Sequence, residues 1–177
     1  MKLKPPTEIS NLIEDIQKVY DVLNHDSDLA CILIGTSYLS ELLGSAIKTV
    51  LKKCSTTENL LTPGKGILGS FKSRVDLAYC LNIIPKEDRK DLDIIGNIRN
   101  SFAHLHLSFD FSNSEVETEF SKLNAWKMQS DFSKINSDPH IQRIPEYCYL
   151  PQTTREKFVL AVVMIKQRII SKAIKRI

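Results

Sequence analysis

The sequence predicts an all-α protein: a single-domain bundle of about six helices over residues 1–177, with a long irregular connection before the last helix. Three observations carry this. Apolar residues recur at three- and four-residue spacing along most of the chain, the period of an amphipathic helix. No segment shows the alternation of a half-buried strand, and only 105–109 reads as a short extended piece. Six glycines and seven prolines are too few for a loop-rich sandwich. With 177 residues, 42% hydrophobic and 25% charged, the chain is long enough for its own core and too apolar for wholesale disorder.

Thr7 is placed to cap a first helix, on which Ile9, Leu12, Ile13, Ile16, Val19, Tyr20 and Leu23 fall on one stripe. The polar run 24–28 breaks it and offers caps for the next. The second helix, over 28–53, is apolar on more than one face and is therefore predicted to be central. Gly35 and Gly44, with Ser37 and Ser40, give neighbouring helices room to approach it. Local turn signals predict a loop through 55–59 and 62–66. A third helix follows over 70–82 with Phe71, Val75, Leu77, Ala78 and Leu81 as its apolar residues.

Pro85 stands at the start of a fourth helix, where its missing N–H costs nothing, and that helix runs to about Ala103. Glu87 and Asp88 fall in its first turn, favoured there by the helix dipole. A fifth, weaker helix is expected over 114–128. Residues 129–152, with Pro139, Pro145 and Pro151, read as an irregular connection or partner-facing arm, and Tyr147 and Tyr149 argue that it packs on the body. Thr153-Thr154-Arg155-Glu156 forms a capping box for the last helix, whose stripe is Phe158, Val162, Ile165, Ile169 and Ala173. The basic residues near its end, from Lys166 to Arg176, complement the helix dipole or form a partner patch.

A net charge of +3 is small for a protein that grips many phosphates. The basic N-terminal residues lead into an amphipathic segment rather than an apolar leader. The longest apolar run, 158–165, is well short of the roughly 20 residues of a membrane span, so a cytoplasmic location is the expectation. Cys31, Cys54, Cys80 and Cys148 lie far apart with no C-x-x-C pair, which argues against a zinc site or a disulfide framework. Their apolar neighbours predict buried, reduced thiols. No two histidines stand at i, i+4 on a helix, so no metal and no cofactor is expected.

The string Gly64-Lys65-Gly66-Ile67-Leu68-Gly69-Ser70 invites a phosphate-loop reading and fails it. That motif needs four residues between its first Gly and the Gly-Lys pair, and a strand before it. No Gly-x-Ser-x-Gly nucleophile turn occurs either.

The most specific segment is 91–104. Arg99, Asn100 and His104 gather polar chemistry at the end of an otherwise apolar helix. Five residues apart, Arg99 and His104 stand about 140° from each other on a helix and converge only if the chain turns near Ala103. Three readings are open. In the leading one they form a structural polar network of Asp76, Arg99, Asn100 and His104, with Arg99 buried against Asp76. In the second they make a recognition patch for an acidic partner. In the third they are catalytic, His104 moving a proton on a ribose hydroxyl while Arg99 holds the phosphate.

Residues 99–104 match the Arg-x4-His signature of the HEPN helical superfamily, which includes RNA-cleaving toxins. A wider stretch, through 68–71, 74–79, 92–104 and 107–110, resembles the mannitol operon repressor (MltR) family. This resemblance covers about residues 28–125 and implies an α-helical fold and a non-enzymatic transcriptional regulator, acting through protein contacts without a recognisable DNA-reading motif. The alternatives are an immunity or antitoxin protein and, third, a HEPN-type ribonuclease. For the former, the acidic residues Asp26, Asp28, Asp110, Glu115, Glu117 and Glu119 are the candidate surface for a basic toxin. Homo-oligomerisation is compatible with each reading.

Overall fold

A computed structural model describes residues 23–25, 27–104, 110–125 and 151–175, without the side chains of 103 and 104. The expected first helix up to residue 22, the 105–109 piece, nearly all of the 129–152 connection, Asp26 and Cys148 lie outside the described residues. Every regular element described is an α-helix: α1 Asp28–Val50, α2 Ser55–Leu61, α3 Phe71–Cys80, α4 Lys86–His104, α5 Ser114–Ser121 and α6 Thr154–Ile174.

The central helix is α1, packed against α3, α4 and α6. Its buried residues include Cys31, Ile32, Leu39, Leu42, Leu43, Ala46 and Ile47, which occupy more than one face, as its composition predicts. Among the described residues α1 alone is long and apolar enough to cross a bilayer, and most of that apolar window is buried inside the protein. A Cβ on Gly35 would lie 2.8 Å from Cζ of Phe158, so this glycine is what lets α6 come so close. Phe158 also meets Phe111 and Phe120, with ring centroids 5.4–5.9 Å apart in tilted pairs.

Caps follow the local sequence. Ser27 Oγ accepts from the Ala30 N–H at α1, Ser70 Oγ from Ser73 at α3, and Asn113 Oδ1 from Glu115 and Val116 at α5. At α6 both bonds of the Thr153–Glu156 capping box are made. The α6 helix is more than a stripe, because 158–162 and 164–167 are all buried.

Two expectations need correction. Residues 55–59, read as loop, belong to the short helix α2. Tertiary contacts hold it: Thr57 Oγ1 donates to Lys52 O at 2.6 Å, Glu58 pairs with Lys48 at 3.0 Å, and Leu61 is fully buried. The helix expected to reach 128 ends at Ser121. The reason is Asp91 of α4, whose carboxylate accepts the N–H groups of Asn124 (3.0 Å) and Ala125 (2.6 Å) that would otherwise continue the helical ladder.

Buried charge in the fold also differs from expectation. Asp88 is 1% exposed and takes a two-pronged hydrogen bond from Arg168 of α6, Nε at 2.9 Å and Nη2 at 2.6 Å. Burial raises the Asp88 pKa, opposed by Arg168 and reinforced by Asp91 and Glu87. Burial likewise raises Asp91, opposed by the amides of Asn124 and Ala125. Lys166 is buried without an ion pair among the described residues, and burial lowers its pKa to about 8.

Candidate functional site

The α3 and α4 helices pack antiparallel, and their surface ion pairs give the register. Asp76 accepts from Arg89 Nε and Nη2 at 3.1 and 2.9 Å, Lys72 meets Asp93 at 2.7 Å, and the Phe71 ring lies against Gly96. Lys72 also reaches Asp76 at 3.1 Å, and the Arg89 guanidinium sits 5.0 Å from the Tyr79 ring centre. Asp76 is pushed up by burial, but Lys72 and Arg89 outweigh that and hold it below the usual carboxylate range.

This register corrects the expected network. Arg99 is not buried and does not meet Asp76; it is exposed on α4 and donates to Asn100 Oδ1 at 3.1 Å. Asp76 faces Arg89, ten residues earlier on α4, and ten residues of helix span about 15 Å. The pairing Arg99–Asn100 is therefore the part of the four-residue set that the structure brings together. His104 closes α4, and its side chain lies outside the described residues. Around Arg99 and Asn100 the C-terminal turns of α4 expose Asn97 and Ser101 as well.

The acidic candidates divide. Asp28 is withdrawn from the surface role: it is paired with Arg155 at 3.0 Å and accepts the Phe111 N–H at 2.8 Å, tying α1 to α6 and to the chain before α5. Asp110 is exposed but accepts from Ser112, which holds its carboxyl below the ordinary range. On α5, Glu115 and Glu117 are exposed, while Glu119 is half-buried and paired with Lys122. Among the described residues no cluster of three metal-ligating side chains occurs.

Of the cysteines, Cys31 is buried and its thiol is pushed up to about 12 by burial. Cys54 and Cys80 are exposed, contrary to expectation. Cys54 sits at the N-cap of α2, and hydrogen bonds from Thr57 hold its thiol below the usual value. For Cys80 the apolar neighbours misled because on a helix they face other directions than the thiol does, whereas Cys54 lies in extended backbone between Lys53 and Ser55.

Sequence reasoning missed Arg74. It is 2% exposed, with no carboxylate at hydrogen-bonding distance among the described residues, and its guanidinium donates to Leu61 O (2.7 Å), Leu68 O (3.0 Å), Ser40 O (2.9 Å) and Ser40 Oγ (3.1 Å). The glycine string that failed as a phosphate loop is thus a turn fastened from inside. Leu68 N–H donates to Leu60 O and Gly66 N–H to Thr62 O, each at 2.9 Å. The signal for Arg74 was present: it shares the i, i+3, i+4, i+7 stripe with Phe71, Val75 and Ala78.

No known protein family matches the chain, and no curated protein matches it. Solved structures do share the fold. One is a chain in the X-ray structure of the MtlR–HPr complex from Escherichia coli, 18% identical, with a TM-score of 0.61 over 91% of this chain and 97% of that one. Another is YggD from Shigella flexneri, described as a possible transcriptional regulator, 12% identical, with a TM-score of 0.61 over 92% and 97%. At such identities the likeness is one of fold, and the fold is the helical one that the mannitol-repressor resemblance implies.

Proposed function

We propose that this chain is a non-enzymatic regulatory protein of the mannitol-operon-repressor kind, working in the cytoplasm by binding another protein. The observation that carries the reading is the placement of Arg99 and Asn100. They stand exposed and bonded to each other, as a recognition pair would, instead of being spent in the interior. Support comes from the shared fold over nearly the whole of both chains, one of which was solved in a complex with HPr. The basic residues that a ribonuclease would want beside His104 are at the far end of α4, and Arg89 is engaged by Asp76. Titration of the purified chain with HPr, followed by calorimetry, tests the proposal. A saturable complex that Arg99→Glu weakens is the expected result. No binding by the parent chain overturns it, and so does cleavage of tRNA or mRNA that disappears in His104→Ala.

A second reading, an immunity protein, draws on the exposed Glu115 and Glu117 of α5. Protection of cells against a co-expressed nuclease toxin, abolished by Glu115→Lys with Glu117→Lys, would favour it over the regulator.

A further inference from the structure

We infer that the loop before α3 and the C-terminal turns of α4 form one docking surface, anchored by Ile67, for a protein whose matching face is an apolar pocket rimmed by carboxylates. The inference rests on the protein-binding reading above and names where and how the partner is held.

The two segments are far apart in sequence, and the antiparallel register brings them together. Position 76 faces 89, 72 faces 93 and 71 packs on 96, so the chain just before α3 lies alongside the turns after Gly96. Arg99 and Asn100 are within one turn of that contact. Lys65 and Ile67 therefore belong to the same end of the α3–α4 pair as the exposed recognition pair.

Ile67 is 78% exposed, well above the 38–45% of the other exposed large apolar residues described. That exposure is fixed rather than slack. A Cβ on Gly66 would stand 2.0 Å from Leu60 O and one on Gly69 2.5 Å from Thr62 O, so neither position admits a side chain, and the bonds from Leu68 N–H to Leu60 O and from Gly66 N–H to Thr62 O close the turn. Arg74 grips both of its ends, at Leu61 O and Leu68 O. Burying a guanidinium is costly, a cost that the charge of Glu41 offsets in part, and here the product is a fastened turn that carries one bare isoleucine. A preorganised apolar anchor binds without a further ordering cost, which is how a single side chain becomes a hot spot.

Charge specifies the occupant. No Asp or Glu occurs in 59–75 or in 94–104. The carboxylates that flank these segments in sequence, Glu58, Asp76 and Asp93, are paired with Lys48, Arg89 and Lys72. Among the described residues Lys65 is exposed with no carboxylate partner, and the one hydrogen bond of the Arg99 side chain is to the neutral amide of Asn100. Two cations with no carboxylate partner among the described residues, at the end of the helix pair where an isoleucine projects, match an acidic rim around an apolar pocket. They are too few for a nucleic-acid backbone, against which Ile67 would gain nothing.

The test is calorimetric titration with Escherichia coli HPr, the protein bound in the similar structure, beside a parallel titration with tRNA. Ile67→Asp should weaken HPr binding at least tenfold with Tm unchanged, and Ile67→Ala by a smaller factor. Lys65→Glu and Arg99→Glu should each weaken it severalfold and flatten its salt dependence, while Glu117→Lys on α5 leaves it intact. HPr bound equally well by Ile67→Asp and Ile67→Ala overturns the inference while leaving the protein-binding reading standing, as does loss confined to Glu117→Lys. Binding of tRNA in place of HPr, dependent on Arg99, assigns the surface to nucleic acid and overturns both. Failure of the parent to bind HPr removes the protein-binding reading itself, and this surface with it.

Discussion

The two halves of α4 handle charge in opposite ways. Its N-terminal half buries two carboxylates, Asp88 under Arg168 and Asp91 under the amides of 124–125, whereas its C-terminal half keeps Arg99 and Asn100 in solvent. The first half uses charge to join α6 and the end of α5 to the core. The second half leaves its charge free to meet something else. A charged residue on an apolar helix therefore says little until its neighbours in the fold are known: Asp88, Asp91 and Arg99 all fall on the face of Leu92, Ile95 and Phe102, yet the two carboxylates are buried and Arg99 is exposed.

The largest expected effect breaks the comparison at its root. Truncation after Pro151 removes α6, and with it Arg168, Phe158 and the buried run 158–162. Burying each large apolar side chain contributes about 1.5–3 kcal/mol, so the shortened chain should be unfolded by circular dichroism. A folded monomer would mean that the N-terminal half of α4 tolerates Asp88 unpaired. Next, Asp88→Ala leaves the partly buried Arg168 guanidinium without its partner and should cost up to about 3–5 kcal/mol in denaturant unfolding. Replacing both, with Asp88→Leu and Arg168→Met, should recover most of that loss, and no recovery would show that packing rather than charge is at stake.

A smaller effect concerns Lys166, which is buried without a counter-ion among the described residues. Its pKa in the fold, about 8, lies below the ordinary 10.5, so between these values the unfolded chain holds more protons and stability rises with pH. Lys166→Met should abolish that rise and stabilise the protein at pH 7 by at most about 3 kcal/mol, the energy of such a shift. An unaltered pH profile in chemical unfolding would contradict it. The smallest effect sharpens the contrast: Arg99→Ala should change stability by no more than about 0.5 kcal/mol. A marked fall in Tm would place Arg99 in the interior after all.

Much of the fold is legible in the sequence because each signal there is local. The all-round apolarity of 28–50 marks the central helix, and Thr153 with Glu156 marks the start of α6. What escaped was decided at a distance. Nothing within 55–61 announces a helix, since Lys48, Lys52 and the core around Leu61 stabilise it. The end of α5 is set by Asp91, some thirty residues earlier in the chain. For the candidate site, the motif located Arg99 and Asn100 but not their exposure, because the partner assigned to Arg99 depended on the α3–α4 register. The residue that Asp76 meets is Arg89, at the other end of the helix.

The turn closed by Gly66 and Gly69 carries a consequence for how this surface can change over generations. Solvent-facing positions ordinarily accept most substitutions, yet these two have backbone oxygens where a side chain would begin. In a comprehensive substitution library scored for folded protein, 66 and 69 should be as intolerant as Leu39 or Leu42. Ile67 between them should accept nearly anything. Such a profile, two blank columns flanking a permissive one, describes a surface on which specificity drifts through a single side chain while its mounting stays fixed.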